Sequence, residues 1–112
     1  MNLYYAPGAC SLAPHIVMRE AGFPVELKKV DLKAKQVEGG DYKAVNGKGY
    51  VPAVKLADGT VLTEAPVIMQ YLADQKPGAG LAPKAGSMDR YRLQEWLNFI
   101  TSEMHKGMGN FF

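Results

Sequence analysis

Residues 2–32, NLYYAPGACSLAPHIVMREAGFPVELKKVDL, constrain the fold more tightly than any other part of the chain. Asn2 to Ala6 reads as a strand closed by the turn signal Pro7-Gly8. From Ser11 to Ala21 the apolar residues Leu12, Ile16 and Val17 recur at helical spacing, with Gly22 as the C-terminal stop and Pro24 two residues on. Val25 and Leu27 then alternate as in a half-buried strand. Strand, helix, strand calls for a right-handed crossover and a parallel strand pair, and the remaining residues must be built onto that pair.

What remains is limited. At 112 residues there is room for one compact domain and little more. Residues 33–50, KAKQVEGGDYKAVNGKGY, read as an irregular connection with at most one helical turn around Tyr42 to Val45. PAVKLADGTVLTE is a stronger signal, because two alternating apolar runs flank Asp58-Gly59, a favoured hairpin turn. A helix over Pro66 to Gln75 follows, with Val67, Ile68, Tyr71 and Leu72 as its apolar face and Pro66 at a first position that needs no N–H.

The glycines and prolines of KPGAGLAPKAGS mark a linker, and Ser87 is a good N-cap for a long helix starting near Met88. Along that helix Leu93, Leu97, Ile100 and Met104 form an apolar stripe that Trp96 and Phe99 widen. Gln94, Asn98, Thr101 and His105 form a polar stripe at the same spacing, and Gly107, Met108 and Gly109 end the helix. The first eighty residues thus make an α/β unit, βαβ then ββα, with helices on a mixed sheet. The long helix carries more apolar face than this unit needs, so the expectation is a chain that stops before its second domain does.

Charge excludes little and suggests less. Thirteen basic residues against 11 acidic give a net +2, and the lysines between Lys28 and Lys48 are scattered, too mild a balance to argue for nucleic acid. No charged-then-apolar leader opens the chain and no apolar run approaches a membrane span, so a cytoplasmic protein is expected, with no membrane partner. No metal is expected.

Cys10 is the only cysteine and cannot form an internal disulfide. It stands at the entrance to the first helix, where unpaired N–H groups and the helix dipole favour a thiolate; it is either such a reactive thiol or a small buried hydrophobe. CSLA has Ala13 where a thiol–disulfide oxidoreductase would have its second cysteine, which leaves a mixed disulfide with a small thiol as the available exchange. Val51-Pro52 opens the strand before the hairpin, a tolerated place for proline; a cis bond there would aim the backbone of Val51 at an extended peptide. Glu64 and Ala65 stand at a helix start, where N–H groups take a carboxylate and Glu64 takes an ammonium, although an ordinary helix start accounts for them equally.

Together these features specify an extended short peptide with a thiol, terminal carboxylates and an amine, a set of groups that glutathione has. The segments YYAPGACSLAPHIVMREAG, GYVPAV, DGTVLTEAPVIMQYLAD and RYRLQEWLNFITSEMHKG resemble a bacterial glutathione transferase of the beta class over the whole chain. That resemblance implies a thioredoxin-like glutathione-binding domain over residues 1–80, a linker over 81–86, and in residues 87–112 the first helix of an all-helical domain. It implies a homodimer with glutathione as substrate. It aligns Cys10 with the cysteine facing the glutathione sulfur, Lys35 with a lysine near the glycyl carboxylate, and Val51 and the cis proline Pro52 with the partner of the cysteinyl unit. Glu64 and Ala65 fall at the γ-glutamyl end, His105 near the thiol, and Asn98, Glu103 and Lys106 at further contacts. His105 near a helix C-terminus also suits the dipole without further role, and His15 is left as surface or interface.

Departures from the family pattern bear on affinity. Ala65 replaces a common serine, which removes a hydroxyl contact worth about 1.5–3 kcal/mol at most, and Pro66 has no N–H to add. Gly47 replaces a common proline and loosens its loop. The function implied is conjugation of the glutathione thiolate to small hydrophobic electrophiles. Glutathione-dependent thiol transfer or reductive dehalogenation through Cys10 is the alternative within enzymes, and a non-catalytic glutathione-binding or regulatory protein is the alternative outside them.

Overall fold

The structure, a computed structural model, describes residues 1–109. Strand β1 (Asn2–Tyr5) leads through helix α1 (Leu12–Ala21) to β2 (Glu26–Asp31). Two short strands follow, β3 (Gln36–Val37) and β4 (Gly40–Asp41), then a 3₁₀ turn over Tyr42–Ala44. The hairpin β5 (Ala53–Lys55) and β6 (Val61–Thr63) leads into α2 (Ala65–Gln75), a second 3₁₀ turn (Pro77–Ala79) and α3 (Met88–Phe99), which continues as a π-helical stretch over Ile100–His105.

The expected parallel pair is present, with Leu3 opposite Leu27. On its other side β1 meets β5 in antiparallel register, Leu3 opposite Val54, and the full sheet runs β4-β3-β2-β1-β5-β6. Successive side chains of a strand point to opposite faces, and the sheet is buried on both. Leu3 and Val54 pack with Met18 of α1 and with Ile68 and Leu72 of α2. Tyr4 and Ala53 face the other way, into a cluster with Ala6, Val30, Tyr42 and Val51. Helices cover the first face, and the chain between β4 and β5 covers the second.

That second cover is where the sequence reading falls short. Residues 33–50 are more ordered than an irregular connection: β3 pairs with β2 and β4 with β3, with Val30 opposite Val37 and Gln36 opposite Asp41. Two-residue strands leave no visible alternation, so periodicity could not find them. The helical turn around Tyr42 is there, capped by the Asp41 carboxylate accepting from the Lys43 N–H.

Helix α1 buries a different face from the expected one. Leu12 and Ile16 are 59% and 52% exposed, whereas Pro14 and Met18 are buried. Proline in the first turn lacks only an N–H that has no helical partner, so Pro14 can pack where an apolar count had overlooked it. His15 accepts from the Arg19 Nε at 3.2 Å on the outer side. Gly22 ends the helix in the left-handed region at φ 73°, as expected, and the Lys76 ammonium donates to the carbonyls of Ala21 and Gly22 while lying 4.5 Å from the Phe23 ring centroid. Helix α2 starts one residue earlier than expected, which puts Pro66 second rather than first, still within the turn whose N–H groups lack helical acceptors. Ile68 and Leu72 are buried, but Val67 lies outside.

Helix α3 begins at the expected cap, with the Ser87 hydroxyl accepting from the Arg90 N–H at 3.2 Å. It does not keep α-helical spacing to its end. From Ile100 the ladder widens to i→i+5, so a residue four positions on no longer returns to the same face. Leu93 and Leu97 are half-buried, while Ile100 and Met104 are exposed together with Trp96 and Phe99, whose rings meet edge to face at 6.1 Å. No described helix is long and apolar enough to cross a membrane.

What fastens α3 to the sheet layer is polar. The Arg90 side chain is 4% exposed; its guanidinium donates to both carboxylate oxygens of Asp74 on α2, and its Nε donates to the Pro83 carbonyl at 2.9 Å. The same hydrogen bonds hold the Asp74 carboxyl below its ordinary range. Because its folded value lies below its unfolded one, the pair's contribution is complete above the unfolded value and is lost as pH falls through the folded one. Arg90→Met is therefore expected to lower the urea midpoint near neutral pH. The gap to the parent should narrow below about pH 4, measured by denaturation at a series of pH values.

Candidate functional site

The chain leaves β1 at Tyr5 and turns into α1 through Ala6–Ser11. Ser11 is buried, and its hydroxyl accepts from the Ala6 N–H and donates to the Ala6 carbonyl, each at 3.2 Å. This bridge closes the turn and leaves Cys10, one residue earlier, exposed on its outside. The Leu12 and Ala13 N–H groups close on the carbonyls of Ala9 and Cys10, so these two donors serve the turn rather than the sulfur. The thiol is directed elsewhere, donating to the Val51 carbonyl at 3.3 Å.

Val51 precedes a cis peptide bond to Pro52, and both residues are buried. The loop before them is held by several donors. Tyr42, fully buried, donates its hydroxyl to the Tyr50 carbonyl at 2.7 Å, and the Asn46 Nδ2 donates to the same oxygen at 2.8 Å. Lys35 adopts φ 55° and donates its ammonium to the Gly49 carbonyl at 3.0 Å. The Tyr50 ring stands in solvent, 62% of the residue being exposed, and the ammonium groups of Lys35 and Lys106 lie 5.7 and 5.9 Å from its centroid. Two cations from distant parts of the chain thus meet over one aromatic ring, within the range of cation–π attraction.

A third group lies at the start of α2. Glu64 has φ 72°, unusual for a residue with a Cβ, and its exposed carboxylate takes the Lys48 ammonium at 3.4 Å, which also donates to the Thr63 hydroxyl at 2.9 Å. Ala65 is the first residue of α2 and is half-buried. Between α2 and α3 runs an open groove of about 530 Å³ whose wall includes Glu64, Gln70, Gln94, Asn98 and Thr101. The Gln94 amide donates across it to the Gln70 carbonyl oxygen at 2.9 Å.

The residues singled out from sequence therefore fall into three associations. Cys10 meets Val51, with Pro52 following; Lys35 and Lys106 meet at Tyr50; Glu64 and Asn98 share the groove, with Ala65 beside Glu64 in the chain. Glu103 and His105 are exposed on the π-helical stretch, directly before Lys106. The expected polar stripe holds for Gln94, Asn98 and Thr101, which line one groove, and the wider π spacing carries the chain off it before His105. Sequence reasoning missed Ser11, Tyr42, Asn46, Lys48 and Tyr50. Asn46-Gly47 was a turn signal that could have drawn attention to that loop.

Residues 8–75 match the family model described as the N-terminal domain of glutathione S-transferase. The chain belongs to the glutathione S-transferase family. Among curated relatives, glutathione S-transferase GstA of Escherichia coli is 54% identical over 113 residues, covering 100% of this chain and 56% of GstA. Glutathione S-transferase GST-4.5 of Xanthomonas campestris is 38% identical over 105 residues, covering 94% of this chain and 50% of that protein. The chain spans about half the length of the curated relatives it matches.

Among solved structures, the bacterial glutathione transferase BphK in a ternary complex is 59% identical with a TM-score of 0.95, covering 97% of this chain and 55% of that one. A sphingomonad glutathione S-transferase complexed with glutathione is 52% identical with a TM-score of 0.95, covering 100% of this chain and 56% of that one. A beta-class enzyme of Sphingomonas chungbukensis is 52% identical with a TM-score of 0.94, covering 96% and 54%. The mixed six-stranded sheet and its helices thus match the thioredoxin-like fold of these transferases.

In this fold the Ser11 bridge sets where Cys10 stands. Ser11→Ala leaves the buried Ala6 N–H without the hydroxyl it donates to. The expected loss is about 1–3 kcal/mol of stability, read from the shift of a urea denaturation curve.

Proposed function

We propose that the protein is a glutathione transferase that binds glutathione along the edge formed by Cys10, Val51 and the start of α2, and conjugates its thiolate to small hydrophobic electrophiles. The observation that carries this reading is the Cys10 thiol seated 3.3 Å from the Val51 carbonyl, beside the two-lysine ring of Tyr50. A glutathione lying there antiparallel to residue 51 pairs its cysteinyl unit with the Val51 backbone, as an added strand does. Its sulfur then faces Cys10, with His105 as the nearby proton-handling group. Lys35, helped by Lys106, takes the glycyl carboxylate as a point cation. Glu64 takes the γ-glutamyl ammonium while the N–H groups opening α2 at Ala65 take its carboxylate, and Asn98 and Glu103 add polar contacts to that end.

This reading divides the chain into a glutathione-binding domain over residues 1–80, a linker over 81–86 and the opening helix of a helical domain from residue 87; residues 110–112 lie outside the described part. The exposed Trp96 and Phe99 fit a helix that further helices cover. The reading includes an assembly of two such chains, working in the cytoplasm as a detoxifying enzyme. In the chemical step the site favours glutathione's thiolate and aligns it against the electrophile, so a new carbon–sulfur bond forms as a leaving group departs with its bonding pair or, in an addition, as the π pair shifts to the neighbouring atom, which takes up a proton. The sulfur that reacts is glutathione's, and Cys10 faces it.

The exposure of Cys10 favours one second reading, thiol transfer. There the Cys10 sulfur attacks a glutathionylated substrate, releases the substrate thiol and holds a mixed disulfide. A second glutathione then resolves it to glutathione disulfide. Cys10→Ala in the full-length protein separates the two chemistries: conjugation of a model electrophile is expected to keep most of its rate, and exchange with a glutathionylated peptide is expected to vanish. Equal loss of both rates overturns the division. Retention on immobilised glutathione without turnover on a panel of electrophiles makes the protein a binder instead.

A further inference from the structure

Tyr42 and Asn46 belong to no contact proposed for glutathione, yet both spend buried donors on one carbonyl. The Tyr50 oxygen accepts the Tyr42 hydroxyl at 2.7 Å and the Asn46 amide at 2.8 Å, filling both lone pairs of a backbone acceptor. Tyr42 acts at a second point as well, because its N–H donates to the Lys35 carbonyl at 2.9 Å. Lys35 in turn donates its ammonium to the Gly49 carbonyl, one residue before Tyr50. The bonds close a circuit, from Tyr42 to Lys35, to Gly49, along the chain to Tyr50, and back to Tyr42.

We propose that Tyr42 and Asn46 are positioning residues, which hold the Tyr50 carbonyl so that Val51 meets the Cys10 thiol and Lys35 stays beside the Tyr50 ring. For glutathione this rests on the reading above; for Cys10 it rests on geometry alone. Val51 follows the gripped carbonyl directly, so any rotation of the Tyr50–Val51 peptide moves the backbone that the thiol uses as its acceptor. The anchor itself is rigid. Tyr42 has no exposed surface and packs its ring 5.6 Å from that of Tyr4, within the cluster that holds Val30, Val51 and Ala53. Burial pushes the phenol above its ordinary value, opposed by the Asn46 amide, so the hydroxyl remains a donor through neutral pH.

The circuit also leaves little slack at Gly49. Its φ of 75° suits glycine, and a Cβ there would stand 3.2 Å from the Lys35 Cδ, so the loop and the lysine stem are fitted to one another. Asn46 fixes the same stretch from inside, accepting the Gly49 N–H on its carbonyl at 2.8 Å and the Lys48 N–H on its side-chain oxygen at 3.1 Å. The exposed Tyr50 ring is thereby held in place by groups beneath it.

The test uses the full-length protein and the variants Tyr42→Phe, Asn46→Ala and their double, with Val30→Ala as control. Val30 is a member of the same core cluster that donates nothing to the loop, so its truncation loosens packing without touching the circuit. Two quantities are read: the rate of Cys10 alkylation by iodoacetamide, followed by peptide mass spectrometry, and the KM for glutathione against kcat. In the double variant the Tyr50–Val51 peptide is released, the Val51 carbonyl shifts away from the thiol, and alkylation should quicken about two- to fivefold. The KM for glutathione should rise about fivefold or more while kcat at saturation stays within about twofold. Tyr42→Phe alone removes one oxygen and should shift both in the same direction by less, which decides the matter if the double variant does not fold.

Val30→Ala should move neither quantity even where its melting temperature falls as far. Alkylation and KM unchanged in Tyr42→Phe and in the double variant overturn the proposal, as does an equal change in Val30→Ala. If the parent protein binds no glutathione, the functional reading fails, and the alkylation rates still decide whether Tyr42 and Asn46 position Cys10.

Discussion

Every part of the candidate site is referred to β1, because that strand is hydrogen-bonded on both sides and packed on both faces. β2 runs parallel to it and β5 antiparallel, so its position is set within the sheet before any helix docks. Leu3 points to the helices and Tyr4 to the turn, and the chain then leaves the strand straight into the bend that carries Cys10. The partner of that thiol, Val51, stands two residues before Ala53 joins β5, and β5 is registered against the same strand. A sulfur and a carbonyl forty-one residues apart can meet at hydrogen-bond distance because one strand sets the origin for both.

Polar bonds finish what this pairing begins. Ser11 closes the bend from inside, and Tyr42 and Asn46 fix the loop from below. A buried polar group with no partner costs more than a made bond returns, so these side chains specify one arrangement of the backbone rather than merely adding stability. The exposed members of the site, Lys106, Glu64 and Lys48, are bound more loosely, through contacts that water and salt weaken. A rigid backbone platform with movable charges around it suits a ligand whose middle is a peptide and whose ends are ionic.

The sequence was most legible where structure is local and periodic. The opening βαβ, the Asp58-Gly59 hairpin, the Gly22 stop and the Ser87 cap each rest on a few neighbouring residues, and each is found within a residue or two of its expected place. It was less legible where burial depends on distant partners. Leu12 and Ile16 have helical spacing yet face outward, since the sheet takes Pro14 and Met18 instead. The π-helical stretch after Ile100 leaves no trace in hydropathy, and it alters which residues share a face with Asn98. Of the candidate site, the residues with chemistry of their own stood out, Lys48 excepted, and the ones that hold them did not. A tyrosine whose hydroxyl serves a carbonyl eight positions away looks, in sequence, like any other core aromatic.

The sheet that organises all this ends narrowly on both sides. Its outermost strands are β4, two residues that include a glycine, and β6, three residues finishing in a threonine. A rim of that length offers an intruding strand only a few amides to pair with, so the molecule gives little template for edge-to-edge stacking. A chain with nearly half its residues apolar can thus be crowded beside its own copies with its sheet protected, a safeguard that comes from brevity rather than from charge.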